Sequence, residues 1–543
     1  MKRKILSVLL TAMLLLSALG TISVGATDSA STASVYSGTP DMVFWESAIE
    51  SEQTEIIITT ADQLMGFATL TTGMTFEGYT IKLGADITIN EGDNTAWKST
   101  APAHMWSCST AHDFRFAGVF DGQGHTISGL YSKTEQECGL FGTVAAGAEI
   151  KNVKVVNSYF EFMLNENYNN CGMGGIAGRV DAGNVFVGKT STIANCYVEA
   201  ILYTSATSSQ DVGHTGMGGI IGYVGNNFDE QNNTLNVENC TFVGSIEGYR
   251  FIGGVIGRLD CDGIANVKNC RVNADIVANV PGTTDTGAAM LVGSMARHSL
   301  NVENCLVEGT LKCTESTSKA GTLIGYIDAH GDDATKTLTI KNVLIASAPL
   351  ANDGGKVYET VLFNTYLRKD VTCTLENIVY DSTLYARAVL DDHIKVFEYK
   401  GVTFGIGSAS SFEATAKTTA ELQGANGKAL FETWTEVEGD YPTPTTPIAI
   451  TESEGGFDAS DVVPGNGNDN ESGNQNGNQN DGTNENEDGN TNTETESTQS
   501  GDTEDTAEEG GCGSSVNMIG VVALISTLAG ITLITSKKSR GEI

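Results

Sequence analysis

Positive charge is scarce in this sequence of 543 residues, which has 31 Lys and Arg side chains against 67 Asp and Glu. A formal net charge of −36 excludes the basic footprint that nucleic-acid-binding proteins place on phosphates. It also argues against docking on an anionic membrane surface, which attracts basic segments. The His-Glu-x-x-His motif of zinc proteases and the Gly-x-Ser-x-Gly nucleophile elbow are both absent. The sequence therefore predicts no catalytic residues and no cofactor.

The N-terminal segment, residues 1–26, has the features of a secretory signal. Three basic residues are followed by a mostly apolar run, and the segment ends in Val24-Gly25-Ala26. Because the apolar run is short and ends in small residues, cleavage is favoured over retention as a membrane anchor. The mature chain is therefore expected outside the cytoplasm.

The C-terminal segment, residues 512–543, contains a second apolar run. Met518–Ile534 is uncharged and close to the shortest length that spans a bilayer, and the basic residues after it predict a cytoplasmic end. Together with Gly510–Ser515, this tail resembles the Gly-Gly type of sorting tail in bacterial surface proteins, although the Leu-Pro-x-Thr-Gly motif is absent. A plain membrane anchor is the simpler interpretation of this tail. The resemblance favours a Gram-positive bacterium and leaves open whether the tail is cleaved or modified. The expected anchor and sorting residues are Gly511, Cys512, Lys537, Lys538 and Arg540.

Residues 451–511 differ in composition from the rest of the chain. They carry 17 acidic and no basic side chains and are rich in Asn, Gly, Glu and Thr. Such a segment cannot bury enough apolar surface to offset its conformational entropy, so we predict a disordered stalk. Repulsion between its charges would extend it.

Two repeated elements dominate the remaining chain. The first is Gly-x-x-Gly followed by a short apolar strand, and its last glycines are spaced 36, 44, 35, 36 and 32 residues apart. The second is an apolar residue, any residue and then Asn, at spacings of 43, 44, 30, 35, 38 and 35. Since the two stay in step, each period of about 35 residues is one structural unit. The last glycines are Gly142, Gly178, Gly222, Gly257, Gly293 and Gly325, and the Asn positions are Asn152, Asn195, Asn239, Asn269, Asn304, Asn342 and Asn377.

Short β-branched segments separated by Gly, Asn and Asp predict strands and turns rather than helices. Strands at a fixed period predict a solenoid, in which equivalent residues form columns about 4.8 Å apart. The repeated Asn could then hydrogen-bond to the Asn above and below. Four of these Asn precede a cysteine where the others precede Val or Ile, which predicts buried thiols rather than a disulfide framework. These cysteines are Cys196, Cys240, Cys270 and Cys305.

The glycine element resembles the GLUG repeat of bacterial surface and IgA-protease-like proteins. The matching residues include Gly139-Leu140-Phe141-Gly142 and Gly219-Ile220-Ile221-Gly222, and Phe116–Ile127 is similar to the entry coil of such proteins. The later copies lose the first glycine. The resemblance covers roughly residues 55–445 and implies a right-handed parallel β-helix on a bacterial surface, often adhesive.

The expected organisation places an N-terminal α/β cap at 27–111 and the repeats with their closing segment at 112–450. Thr60 and Gln63 have the spacing of a capping box, which predicts a short helix over Ala61–Leu70. A cap is needed because an open coil end is an unpaired strand edge. Three tryptophans of this region, Trp45, Trp97 and Trp106, are assigned to its core rather than to a sugar platform.

The residues that directly follow the last glycine of each Gly-x-x-Gly element form the candidate ligand site. Strand alternation places them outside and the next, apolar residues inside. Guanidinium groups and Tyr rings suit sugars and carboxylates, whereas the alternative is a ladder in which Arg and Tyr stack on each other. The candidate ligand residues are Arg179, Tyr223, Arg258 and Tyr326 in a column that also contains Thr143 and Ser294.

Two metal-like patterns are weaker than their structural alternatives. His104, Cys108 and His112 lie four residues apart beside Asp113, but the segment has the composition of a loop. Asp260-Cys261-Asp262-Gly263 has part of a calcium-loop spacing and is better explained by a plain Asp-Gly turn. No metal site is predicted.

The function predicted from these features is non-enzymatic adhesion at a bacterial cell surface, to an extracellular glycan or a host or bacterial surface protein. A β-helix polysaccharide lyase or glycosidase is one alternative. In that case Arg179 and Arg258 are the only basic residues at equivalent positions of the repeats that could act as the catalytic base. A structural coat protein without a ligand is the other.

Overall fold

The computed structural model describes fourteen segments, all within the unit Met1–Asn466. They are residues 33–109, 114–163, 171–181, 188–204, 215–225, 233–279, 287–296, 298–314, 321–327, 336–350, 371–384, 397–399, 402–404 and 414–444.

The described strands stack in parallel and form a parallel β-helix. We number them in chain order and group them into three long ladders and one short ladder. The first ladder contains β2 (Glu55–Ile58), β3 (Thr80–Leu83), β5 (Val119–Asp121), β9 (Glu149–Lys151), β13 (Thr190–Ala194), β17 (Asn233–Glu238), β21 (Gly263–Lys268) and the first parts of β25 (His298–Cys313), β27 (Lys336–Leu350) and β28 (Val371–Asp381).

The second ladder continues each coil beyond a corner. It contains β1 (Ser34–Val35), β4 (Ile87–Thr88), β6 (Thr126–Ser128), β7 (Tyr131–Thr134), β10 (Lys154–Phe162), β14 (Tyr197–Thr204), β18 (Thr241–Gly248), β22 (Arg271–Ala278), the later parts of β25, β27 and β28, and β31 (Ala414–Lys417). The parallel ladders thus already include strands of the region 27–111.

The other two ladders are built from the glycine element. The third ladder contains β8 (Phe141–Ala145), β12 (Ala177–Asp181), β16 (Ile221–Val224), β20 (Ile256–Leu259), β24 (Val292–Met295) and β26 (Ile324–Ile327). The short ladder contains β11 (Gly172–Gly174), β15 (Gly216–Gly218), β19 (Phe251–Gly253) and β23 (Gly287–Ala289). Separately, β29 (Phe397–Tyr399) and β30 (Val402–Phe404) pair in antiparallel fashion.

Alternation along the strands produces one continuous apolar core. In β17, Leu235 and Val237 are buried while Asn236 is half-buried, and β22 alternates in the same way along its whole length. Because the strands pair in register, each buried side chain stacks on its equivalent in the next coil, as Val237 does on Val267. Burial of these apolar columns is the main stabilising contribution.

The repeated Asn residues occupy the corner between the first and second ladders, as predicted. All seven have φ between +50° and +56°, a left-handed conformation that Asn tolerates better than most residues. The Asn239 side chain donates to Asn195 Oδ1 at 2.9 Å and accepts from Asn269 at 3.0 Å. The lowest amide, that of Asn152, donates to Asp121 at 2.9 Å. The predicted amide ladder is therefore confirmed.

The cysteines that follow the corner point into the core, which confirms their predicted orientation. Cys196, Cys240, Cys270 and Cys305 are fully buried, and each thiol donates to the carbonyl oxygen two residues before it at 3.3–3.5 Å. All ten cysteines in the described segments are buried, and none of them is in a disulfide. Burial raises the pKa of the Cys196 and Cys270 thiols.

Two helices and a 3₁₀ turn complete the N-terminal end: α1 (Met42–Glu50), α2 (Ala61–Leu70) and Asn94–Ala96. Helix α2 has the predicted bounds and the predicted capping box between Thr60 and Gln63. Trp45, Trp97 and Trp106 are buried, as assigned from the sequence.

After β31, which extends the second ladder, residues 418–444 pack on the side of the coils, and we refer to them as the lateral brace. It contains α3 (Thr419–Leu422) and α4 (Gly424–Lys428). Its Phe431 and Trp434 rings stack at 4.1 Å. They form one apolar cluster with side chains from three successive coils, Leu306 on β25, Leu344 on β27 and Val379 on β28.

Among the described residues, no helix is both long and apolar enough to cross a bilayer. The predicted signal 1–26, stalk 451–511 and anchor 512–543 lie outside the described residues.

Candidate functional site

The candidate column runs along the third ladder, in the predicted register. Arg179 pairs with Thr143 on one side and with Tyr223 on the other. Tyr223 then pairs with Arg258, and the order continues through Ser294 to Tyr326. The sequence-based alignment of these positions is therefore confirmed.

The predicted exposure of this column is wrong. Tyr223 is 0% exposed, Arg179 5% and Arg258 7%, and only Tyr326 is half-buried. The apolar residues that follow them, such as Val180 and Val224, are also buried. Both faces of the third ladder are therefore covered.

The short ladder explains part of this burial. A Cβ placed on Gly216 would lie 3.2 Å from Cβ of Arg258, and one on Gly287 would lie 2.6 Å from Cβ of Tyr326. At the equivalent position, the Phe251 ring lies 4.4 Å from the guanidinium carbon of Arg258. The missing side chains let the short ladder approach the column closely.

Each arginine of the column is held by carboxylates. The Arg179 guanidinium lies 3.0 Å from Asp181 and 3.7 Å from Glu137, and Arg258 lies 2.7 Å from Asp260. Burial alone would lower the pKa of Arg179, but the two carboxylates outweigh it and raise that pKa. Arg179 therefore stays charged, and both guanidinium groups are held by carboxylates.

Tyr223 joins the two arginines. Its ring centre lies 5.2 Å from the guanidinium carbon of Arg179 and 5.8 Å from that of Arg258. Its hydroxyl donates to Asp260 at 3.0 Å, and burial together with that carboxylate raises the pKa of Tyr223. The geometry matches the alternative interpretation of the column, an Arg-on-Tyr stack, but the stack is buried rather than exposed. Ligand contact by Arg179, Tyr223, Arg258 and Tyr326 stays a prediction.

A second polar group in the interior was missed by sequence reasoning. His298 begins β25 and is fully buried, with Nε2 3.5 Å from the thiol of Cys261. A Cβ on Gly263, one coil earlier, would lie 3.3 Å from the same Nε2, so the glycine leaves room for the imidazole. Burial and the nearby Lys336 lower the pKa of His298 to about 3. The pair is thus neutral, and burial raises the pKa of Cys261, which disfavours a reactive thiolate.

The described residues of the two metal-like patterns make contacts with other side chains. The His104 ring packs edge-on against Tyr36 at 4.7 Å, and Cys108 is buried beside Thr71. His112 and Asp113 lie outside the described residues. Asp262 pairs with Lys336. Across the segments that the structure describes, no group of three His, Cys, Asp or Glu side chains is placed to hold a metal ion.

One further motif was overlooked in the sequence. Gly183, Gly188, Lys189 and Thr190 have the spacing of a phosphate-binding P-loop. Residues 182–187 lie outside the described segments, but Thr190 begins the strand β13, whereas a P-loop leads into a helix. The strand argues against a nucleotide site at this position.

Comparisons with known proteins identify no family. No family model matches the chain, and no curated protein matches it. A solved structure of a putative immunoglobulin A1 protease from Bacteroides ovatus matches with a TM-score of 0.42 and 18% identity, over 73% of this chain and 92% of that chain. A similarity at this level assigns neither a family nor an activity to the present chain.

Proposed function

We propose that this protein is a non-enzymatic β-helix protein of a bacterial cell surface that binds an extracellular glycan or glycoprotein. The observation that supports it most is the unbroken register of the first ladder from β13 to β28. Such repetition turns single side chains into an extended face, which suits a polymeric ligand.

The signal-like, stalk-like and anchor-like segments add support from the sequence. In this proposal residues 512–543 hold the protein in the membrane, and residues 451–511 lift the β-helix away from it. The acidic chain has no nucleic-acid partner in this proposal.

The buried ion pairs bear on the enzymatic alternative. A lyase base must be able to take a proton, whereas Arg179 and Arg258 are each bound by carboxylates. The geometry therefore offers no support for these two residues as catalytic bases.

The test uses the purified full-length chain with a panel of neutral and acidic polysaccharides and mucins. Retention on the polymers and formation of new chain ends are measured in the same tubes. We expect retention without new ends. New reducing or unsaturated ends would favour the enzymatic alternative. Ordered self-assembly without retention on any polymer would favour a coat protein.

A further inference from the structure

The outward side of the first ladder is a regular polar surface, which we call the polar face. Its outermost row consists of short side chains in register from coil to coil, with one apolar member. Thr337 pairs with Thr372 in this row, and both side chains are exposed. The row contains Thr190, Thr234, Ile264, Ser299, Thr337 and Thr372.

A second row lies two residues further along each strand and contains only Thr and Asn. The Asn266 side chain donates to Asn236 at 2.9 Å and accepts from Asn301 at 2.9 Å. It therefore keeps one amide hydrogen for other partners. The row contains Thr192, Asn236, Asn266, Asn301, Thr339 and Thr374.

The hydroxyl groups at the later coils are available to a ligand. Thr337, Thr339, Thr372 and Thr374 form a two-by-two array on β27 and β28. Within the part of the chain that the structure describes, none of these four hydroxyls forms a hydrogen bond. Each can donate one and accept more than one hydrogen bond.

The third row, next to the corner Asn ladder, carries charges of both signs. Lys268 pairs with Glu303 at 3.4 Å, and Lys341 pairs with Glu376 at 2.8 Å. From β13 to β28, the range of the other two rows, it contains Ala194, Glu238, Lys268, Glu303, Lys341 and Glu376. With two positive and three negative side chains, this row is nearly balanced in a chain with a net charge of −36.

We propose that the polar face binds an extended, uncharged polysaccharide lying along the stacking direction of the coils; this inference rests on the proposed function. A nearly balanced row offers a charged polymer little attraction, so it favours an uncharged one. Hydroxyl-rich chains both donate and accept, as do the Thr and Asn rows. The rows repeat about every 4.8 Å, a step comparable to one sugar of an extended β-linked chain. Several weak contacts along one chain then combine into useful affinity.

The proposal is tested by measuring binding of the full-length chain to cellulose and chitin, with hyaluronan and polygalacturonate as acidic polymers. A blocking variant, Thr337→Lys/Thr374→Lys, puts two long charged side chains on the face. A conservative variant replaces Thr337, Thr339, Thr372 and Thr374 by Val, which keeps β-branching and removes only the hydroxyls. The matched control is Thr415→Lys, since Thr415 is an exposed threonine on β31 beyond the corner. Circular dichroism and thermal melting establish that each variant folds.

We expect the chain to bind a neutral polymer, with an affinity that changes by less than about threefold between low and high salt. The blocking and conservative variants should each weaken binding by about tenfold or more, and the control should bind like the natural chain. Equal binding by all variants would overturn the polar face as the site while leaving the proposed function intact. Salt-sensitive binding to acidic polymers alone would overturn the choice of an uncharged ligand. Binding to none of these four polymers would overturn this proposal, and failure to bind the mucins and polysaccharides of the wider panel as well would overturn the proposed function. Self-association that the blocking variant abolishes, without retention on any polymer, would instead make the face a contact between copies.

Discussion

Replacing Asn239 tests what the corner ladder contributes to stability. The Asn239 side chain makes two ladder hydrogen bonds, at 2.9 Å to Asn195 and 3.0 Å from Asn269. Each such bond contributes about 0.5–1.5 kcal/mol, so loss of both should cost about 1–3 kcal/mol in Asn239→Gly and in Asn239→Ala alike.

Asn239→Ala should cost more than Asn239→Gly, because the backbone at this position has φ of +55°. A left-handed conformation costs an ordinary side chain about 1–2 kcal/mol. Glycine avoids this strain but loses about 0.5–1 kcal/mol through its greater freedom in the unfolded chain. The two effects leave Ala less stable than Gly by up to about 1.5 kcal/mol.

Urea unfolding of the full-length chain, followed by circular dichroism, measures this difference. Asn236, which lies on the same coil but has no left-handed backbone, provides the matched control. There the order should reverse, with Gly less stable than Ala. If Asn239→Ala were as stable as the natural chain, or more stable than Asn239→Gly, backbone strain and amide hydrogen bonds could not be what sets the stability of the corner.

The remaining predictions concern ionisation and the lateral brace. Burial raises the pKa of Cys108, Cys313 and Cys373 to about 12. Stability should therefore fall as pH rises above about 9, where thiols of the unfolded chain ionise. Iodoacetamide at pH 9 should label these three thiols only after denaturation, and peptide mapping that finds any of the three labelled in the folded chain would contradict their burial. The pKa of His298 is lowered to about 3, so below about pH 6.5 the imidazole binds a proton in the unfolded chain but not in the folded one. The thermal midpoint should therefore fall as pH drops from about 6.5. His298→Gln should make that fall shallower, and an unchanged slope would contradict a buried, neutral His298. Trp434→Ala should lower the free energy of unfolding by about 3–5 kcal/mol and reduce hydrogen-exchange protection in β27 and β28. Trp434→Phe should lower the free energy of unfolding by less. Unchanged protection in both strands would show that the lateral brace contributes little to their stability.

The corner and the core could be predicted because both depend on one repeated signal. Asn at a fixed register needs only in-register stacking to form a ladder, and Cys240 replacing Val at the next position points inward for the same reason. Local features could be predicted too, as the capping box of Thr60 and Gln63 shows, because a cap depends only on residues within one helical turn.

The burial of Arg179, Tyr223 and Arg258 could not be read from alternation alone. Alternation separates two faces of a strand but does not show whether both are covered. The available signal was the Gly-x-Gly spacing just before the second and third glycine elements, at Gly172 and Gly216, where missing side chains permit close packing. His298 was missed because its partner, Cys261, and the space above it at Gly263 lie on the preceding coil.

The ladder also bears on how the length of such a protein can change through gene duplication. The described strands between β12 and β22 pair only with strands of the coil before and the coil after. Each corner Asn there bonds in the same way to the Asn before and after it, whatever the number of coils. The ion pairs Lys98–Glu247 and Asp262–Lys336 are exceptions that reach further along the stack. A unit of about 35 residues duplicated there would enter the stack without new complementary surfaces. The last three coils differ, because the lateral brace contacts β25, β27 and β28 together. Gain or loss of a unit among them would separate Leu306, Leu344 and Val379 from the rings that cover them, so length variation should be confined to the middle of the array.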